Sequence, residues 1–137
     1  MEIDGIRVTR DAHTEMVAHA LRGFPLEACG LLVGPPGALD VVRFAPCTNV
    51  AASAKLYTIA DEELDRVAGE TIAEGLDVVG TMHSHTHTEP YPSPTDQMMA
   101  LPWWVYVIVS LRRDLPSTRA FRLDGGDEVV ELPVTLV

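Results

Sequence analysis

The stretch DVVGTMHSHTHTEPYPSPTD, residues 77–96, indicates both the fold and the candidate site. It opens with an apolar run typical of a buried strand, continues directly into histidines, and passes through three prolines into a short helical segment. Side chains at positions i and i+2 of an extended segment project from the same face. His83 and His85 should therefore lie side by side at the end of the strand, where two imidazoles can chelate a metal ion.

The end of the same stretch has two interpretations. Ser93 and Asp96 form an S-x-x-D capping box ahead of an apolar helix, with Pro94 at the first helical position. Alternatively, a helix entered soon after the strand can turn Asp96 back over the strand end and complete a set of two histidines and one carboxylate. Such a set leaves the fourth zinc position open, as catalytic zinc sites require. His87 continues the i, i+2 series, so a three-histidine set is an open alternative.

Length and composition limit the class of protein. The 137 residues predict one domain, residues 1–137, and the 47% hydrophobic and 22% charged residues are typical of a globular chain. The formal net charge of -10 opposes binding to phosphate backbones, which excludes nucleic acid as a partner. No signal-peptide pattern is present, and the longest apolar stretch, residues 101–111, is too short to span a bilayer. We therefore expect a soluble cytoplasmic protein with no membrane partner.

Two stretches show the helical spacing of apolar residues. Residues 9–24 predict a first helix, with Thr9 as its N-cap and Pro25 as its stop. Residues 61–75 predict a second helix, with three acidic residues in its first turn and Gly75 as its stop. The positions expected to face the core are Met16, Val17, Ala20, Leu21 and Phe24 in the first helix, and Leu64, Val67, Ala68, Thr71 and Ile72 in the second.

Apolar runs bounded by turn residues predict further strands. The last three should form an antiparallel meander, with a turn at Asp124, Gly125 and Gly126. Helices interspersed with strands, together with this meander, predict a mixed sheet with helices packed on it, in the α/β (α+β) class. The predicted strands cover residues 27–34, 40–47, 103–111, 118–123 and 127–134.

The motif residues resemble a known family. The spacing His83-x-His85, seven residues, Ser93, two residues, Asp96, with Glu27 upstream in PLEACGLLVG, resembles the JAMM (MPN+) zinc metallopeptidases, which remove ubiquitin-like modifiers from their conjugates. The resemblance covers nearly the whole chain and implies an MPN domain, a mostly antiparallel β-sheet flanked by helices. It implies one zinc ion (Zn²⁺) per chain held by His83, His85 and Asp96, with Glu27 as general base and Ser93 as oxyanion donor.

Alternatives to this interpretation come from two other classes. Amidohydrolases also end a strand in His-x-His, but their barrel needs about 250 residues, more than this chain has. A non-catalytic MPN scaffold that binds a partner protein is the second alternative, although such scaffolds typically lack part of the motif. Without the motif, Glu27 would be an ordinary acid at a helix-to-strand junction.

Two cysteines and two tryptophans lie in the predicted strands. Cys29 and Cys47 lie in strand-like segments without paired spacing, which excludes a disulfide framework and a four-cysteine zinc site. We expect reduced, packed thiols, with Cys29 near the site if its strand is regular. Trp103 and Trp104 could lie at an interface between copies of the chain, since an oligomer is possible, or anchor a core strand; the core is favoured.

The substrate is suggested by the segments that flank the motif. The motif stretch, the EACGLLVGP segment and the short length resemble the bacterial branch of the family, whose actinobacterial members release cysteine from the C-terminus of a small ubiquitin-like sulfur-carrier protein. The resemblance implies a carrier with a Gly-Gly C-terminus as the partner. It leaves open whether the leaving group is cysteine, another metabolite or a lysine side chain.

Overall fold

The computed structural model describes residues 5–123 and 128–137. Within these residues the chain forms nine strands and three helices. In chain order they are β1 (Ile6–Val8), α1 (Arg10–Gly23), β2 (Cys29–Gly34), β3 (Asp40–Val41), β4 (Arg43–Cys47), α2 (Asp61–Ala73), β5 (Asp77–His85), α3 (Pro94–Met98), β6 (Val105–Ser110), β7 (Ser117–Leu123), β8 (Val129–Leu132) and β9 (Val134–Leu136).

Most of the strands belong to one six-stranded sheet in the order β4-β2-β5-β6-β7-β8. Its strand pairs are antiparallel except for β5 and β6, which run parallel. Parallel neighbours need a crossover connection, and here the crossover contains α3. The structure thus confirms the predicted mixed, mostly antiparallel sheet flanked by helices, and the crossover brings the second half of the motif back to β5.

The sheet is buried on both faces because α1 covers one face and α2 the other. Alternate residues of β2 enter different apolar clusters: Leu32 packs with Met16 of α1, whereas Leu31 packs with Val67 of α2. Full burial of one such aliphatic side chain contributes about 1.5–3 kcal/mol. The strand that carries the two motif histidines therefore lies inside the molecule, between β2 and β6.

The boundaries of α1 and α2 agree with the prediction, but part of each predicted buried face is wrong. The Thr9 hydroxyl caps α1 by accepting the N–H of Ala12 at 3.2 Å, and Gly75 ends α2 with a φ of 76°. Leu21 and Phe24 are 56% and 48% exposed, and Ile72 is 68% exposed. The buried stripes are narrower than the apolar spacing suggests, namely Ala12, Met16 and Ala20 in α1, and Val67 and Thr71 in α2.

A small second sheet, in the order β3-β1-β9, was not predicted. The segment 40–47, expected to be one strand, divides into β3, which pairs with β1, and β4, which pairs with β2. The last predicted strand also divides, at Pro133, which has no N–H to donate to a ladder. The predicted turn at Asp124, Gly125 and Gly126 lies outside the described residues.

The two tryptophans precede β6 rather than belonging to it. Trp104 packs against apolar clusters on the α2 side of the sheet. Trp103 is 67% exposed, so the core position predicted for it is wrong. Among the described residues the longest helix is α1, whose 14 residues are too few to cross the hydrocarbon core of a membrane.

Candidate metal centre and active site

Three ligand atoms converge where β5 ends and α3 begins. The Nε2 atoms of His83 and His85 lie 3.1 Å apart, and the Oδ2 atom of Asp96 lies 3.1 Å from the first and 3.2 Å from the second. Ligand bonds of about 2.0–2.1 Å in tetrahedral zinc geometry correspond to about 3.3 Å between ligand atoms. The donor set and its spacing therefore fit one metal ion, and these three residues are the candidate metal-binding group of the described part of the chain.

Hydrogen bonds orient two of the three groups. The Nδ1–H of His85 donates to the carbonyl of Glu89 at 2.8 Å, which leaves a lone pair on Nε2 for a metal. The Ser93 N–H donates to Asp96 Oδ2 at 2.8 Å, and the Asp96 N–H donates to Ser93 Oγ at 3.1 Å. This is the capping box that the sequence predicts. The two interpretations of Ser93 and Asp96 are thus compatible, because the capped carboxylate also lies beside the two histidines.

The imidazole of His83 is held by stacking. Its Nδ1 has no hydrogen-bond partner among the described residues, and its ring lies 4.5 Å from the ring of Tyr57 with an interplanar angle of 18°. The Tyr57 hydroxyl is in turn hydrogen-bonded to Thr81 Oγ1 at 3.2 Å. Sequence reasoning missed Tyr57, because its segment has neither the helical nor the strand spacing of apolar residues. The only available signal was an isolated aromatic residue.

The ionisation states of His83 and Asp96 suit metal binding. Burial lowers the pKa of His83 and so keeps its imidazole neutral. Burial opposes ionisation of Asp96, but hydrogen bonds from His83 and His85 outweigh it and hold the pKa of the carboxyl well below its usual range. For His85 burial also disfavours the charged form, yet the hydrogen bonds to Asp96 and the Glu89 carbonyl raise the pKa. A carboxylate and a neutral imidazole are ready-made ligands.

Glu27 lies between α1 and β2. It is 5% exposed, and its Oε1 has no hydrogen-bond partner among the described residues. Burial raises the pKa of its carboxyl to about 7, with His85 acting in the opposite direction. Glu27, His85 and Ser93 line one cavity of about 370 Å³. A carboxyl placed there can both hold and release a proton near neutral pH.

The raised pKa of Glu27 predicts how stability depends on pH in the metal-free protein. Between about pH 4.5, the ordinary value, and about pH 7 the folded protein binds a proton that the unfolded chain releases, so stability falls as pH rises through this window. Between pH 5 and pH 8, in the presence of a chelator, the free energy of unfolding of wild type should fall by about 2 kcal/mol more than that of Glu27→Gln. Urea unfolding at the two pH values measures this difference. Equal losses would show that Glu27 is ionised throughout this range.

Asn49 fixes the backbone around Glu27 and was missed by sequence reasoning. Its Nδ2 donates to the carbonyls of Glu27 and Leu56, both at 3.0 Å. Its Oδ1 accepts from the N–H groups of Ala51 at 3.1 Å and Thr58 at 3.0 Å. One side chain thus ties the segment after β4 to the candidate base. Asparagine after a strand is a common turn former, so no sequence pattern marks it.

The structure does not bring His87 into the metal-binding group. Its Nδ1 is hydrogen-bonded to Thr86 Oγ1 at 2.8 Å, and its ring lies 5.7 Å from that of Phe24. Cys29 and Cys47 are buried free thiols that face each other across β2 and β4. Burial raises the pKa of both thiols to about 12, which agrees with the expected packing role.

A second cavity, of about 220 Å³, lies on the Asp96 side of the metal-binding group. Its walls come from the segment before α2, from β5, from α3 and the residues that follow it, and from β6, and are mostly apolar. They include Leu56, Tyr57, Met99, Trp104 and Tyr106. Two cavities therefore border the three ligand residues, one beside Glu27 and His85 and one beside Asp96.

Comparison with known sequences identifies the family. The family described as prokaryotic homologs of the JAB domain matches residues 9–124. The CysO-cysteine peptidase of Mycobacterium tuberculosis is 40% identical over 133 residues, which cover 95% of this chain and 90% of that protein. The desampylase of Haloferax volcanii is 34% identical over 138 residues, 96% of each chain.

Solved structures agree with the sequence comparison. A solution structure of a protein from Desulfitobacterium hafniense superposes with a TM-score of 0.87 at 32% identity, covering 96% of this chain and 92% of that one. A JAB1/MPN domain protein from Archaeoglobus fulgidus has the same fold, with a TM-score of 0.59 at 24% identity, covering 94% and 98%. This chain therefore belongs to the JAB/MPN family, among the prokaryotic homologues of the JAB domain.

Proposed function

We propose that the protein is a zinc metallopeptidase that hydrolyses the bond after the C-terminal Gly-Gly of a ubiquitin-like sulfur carrier and releases cysteine. The observation that carries the proposal is the convergence of His83, His85 and Asp96 beside the buried carboxyl of Glu27. The 40% identity to a CysO-cysteine peptidase supports the substrate class. The relative named desampylase supports a second candidate, removal of a ubiquitin-like modifier from protein lysines.

The proposed metal is zinc, because two imidazoles and one carboxylate are a common ligand set of catalytic zinc sites. Held by His83, His85 and Asp96, zinc would supply a Lewis acid that activates water and polarises the scissile carbonyl near neutral pH. The protein's part is to keep these three ligand atoms in place, through the Glu89 carbonyl, the Tyr57 ring and the capping box.

Glu27 is the proposed general base. In hydrolysis a C–O bond forms at the carbonyl carbon, the C–N bond breaks, and one proton moves from the attacking water to the leaving amine. A carboxyl with a pKa of about 7 can accept that proton and return it. Glu27 faces the same cavity as His85 and Ser93, so both transfers occur on this side of the ligand atoms.

Ser93 is the proposed oxyanion donor. Its Oγ accepts the Asp96 N–H at 3.1 Å, and its own hydroxyl hydrogen remains available to donate. Ser93 lines the cavity that contains Glu27, so the hydroxyl can meet the carbonyl oxygen as negative charge develops there. Loss of one such donor typically costs about 3 kcal/mol of transition-state stabilisation.

The apolar cavity beside Asp96 is the proposed position of the carrier tail. An extended tail can enter a groove of this kind, and glycines at its end let the backbone come close to the ligand atoms. Leu56 and Met99 offer apolar contacts to the residues that precede the two glycines.

The test is cleavage of CysO joined to cysteine, the substrate class named for the relative, by zinc-loaded protein. We expect a product whose mass equals the carrier ending in free Gly-Gly. A carrier with valine at the penultimate position should fold but resist cleavage, because its side chain would clash at the ligand atoms. Cleavage of carrier–lysine conjugates alone would favour modifier removal, and cleavage of neither adduct would favour the non-catalytic scaffold.

A further inference from the structure

The cavity beside Glu27 contains the only lysine of the chain, Lys55. The formal net charge of the protein is -10, so a cation at this position is not a consequence of general basicity. The Lys55 ammonium has no hydrogen-bond or ion-pair partner within residues 5–123 and 128–137. Most arginines, in contrast, are paired with acids, as in Arg7–Asp40, Arg43–Glu74, Arg66–Glu70, Arg113–Glu89 and Arg119–Glu131.

The position of Glu27 determines which part of the substrate enters this cavity. A general base must come within hydrogen-bond reach of the leaving nitrogen to protonate it. The leaving group therefore lies on the Glu27 side, in the cavity that Lys55 and His87 also line. The cavity beside Asp96 is lined by no lysine or arginine and is left for the carrier tail.

We propose that Lys55 binds the free α-carboxylate of the leaving amino acid. In a carrier–cysteine adduct this carboxylate is attached to the same carbon as the scissile nitrogen, so it enters the cavity together with that nitrogen. In a carrier–lysine isopeptide the nearest backbone carbonyl is several carbons away and is part of a peptide bond. The inference rests on the proposed function and deepens it, since it makes Lys55 a determinant of the leaving group.

The surroundings of Lys55 suit this role. A flexible ammonium can follow a small ligand and form a charge-assisted hydrogen bond with its carboxylate. The other titratable groups that line the cavity are Glu27, His85 and His87, so Lys55 is its one permanent cation among the described residues. Thr88 adds a neutral hydroxyl to the same wall.

The experiment compares two substrates that differ only at the carboxylate. CysO thioester is ligated to cysteine or to cysteine amide, and kcat/KM is measured for zinc-loaded wild type, Lys55→Met and Lys55→Arg. Wild type should prefer the free acid by about 10- to 100-fold, the range for a hydrogen bond between charged groups. Lys55→Met should remove this preference by lowering kcat/KM for the adduct with the free carboxylate. Lys55→Arg should keep most of the preference.

A binding measurement gives a second readout that does not need turnover. Calorimetric titration of both adducts into Glu27→Gln, with and without Lys55→Met, should show an acid-over-amide preference that depends on Lys55. The role of Lys55 would be overturned if wild type had equal kcat/KM and equal affinity for the acid and amide adducts, or if Lys55→Met lowered these values equally for both. The proposed function would remain intact in either case. If neither adduct is cleaved, the proposed function fails, and the titration alone decides whether Lys55 binds the carboxylate.

Discussion

Glu27→Gln should lower the turnover of a carrier–cysteine adduct by about 10²- to 10⁴-fold, while the protein keeps its fold and its zinc. The amide is nearly isosteric with the carboxyl but cannot accept the proton of the attacking water. Turnover at saturating substrate and zinc per chain by elemental analysis are the two measurements. Glu15→Gln makes the same charge change at an exposed position of α1 and should leave both values unchanged.

The opposite result would be equally informative. Near-normal hydrolysis by Glu27→Gln with full zinc content would remove Glu27 as the base. If wild type were as slow as this variant on every Gly-Gly adduct, the scaffold interpretation would return. Loss of zinc in Glu27→Gln would mean that the carboxyl belongs to the metal-binding group rather than standing beside it.

Asp96→Ala should reduce zinc from about one ion per chain to nearly none after dialysis, because two imidazoles alone hold zinc far less tightly than three protein ligands. Asp96→Asn separates the two roles of this residue, since its side-chain oxygen can still cap α3 but carries no charge. It should keep the helix and lose most of the zinc. Elemental analysis checks the metal, and circular dichroism checks the fold.

His87→Ala is the matched control, because it removes a nearby histidine that lies outside the metal-binding group. It should retain zinc at the wild-type level. The three-histidine alternative makes the reverse prediction: His87→Ala would strip the metal and Asp96→Ala would not. That outcome would overturn the assignment of Asp96.

The convergence of His83 and His85 could be predicted because it depends on one local rule, the period of two in a strand. The placement of Asp96 needed more than local geometry, since the capping box alone explained both Ser93 and Asp96. The family resemblance favoured the return of this carboxylate to the strand end, and the structure places its Oδ2 within 3.2 Å of both imidazoles.

The errors in the fold have physical causes. Apolar periodicity marks a helix but does not fix how wide its buried stripe is, so Leu21 and Ile72 were assigned to the core although they face solvent. The strands β1 and β9 have three residues each, too few to show an alternation, and they pair across almost the full length of the chain. Such a pairing leaves no signal in either segment.

The residues that hold His83 and Glu27 in place could not be predicted for a related reason. Tyr57 and Asn49 lie in the segment between β4 and α2, which has no secondary structure of its own to give a pattern. Their roles come from contacts with distant residues, the His83 ring in one case and the Glu27 carbonyl in the other. Residues of this kind are found only when the chain is seen folded.

The capping box at α3 has a consequence for how mutagenesis of this site is interpreted. Ser93 lines the cavity beside Glu27, but its Oγ also accepts the N–H of Asp96, the residue whose Oδ2 lies next to both imidazoles. A slow Ser93→Ala enzyme therefore reports two losses at once, and effects at Ser93 and Asp96 should not add in a double mutant. Asparagine, whose side-chain oxygen can keep the cap but which has no hydroxyl, is the substitution that separates the geometry of the ligand from the chemistry of the hydroxyl.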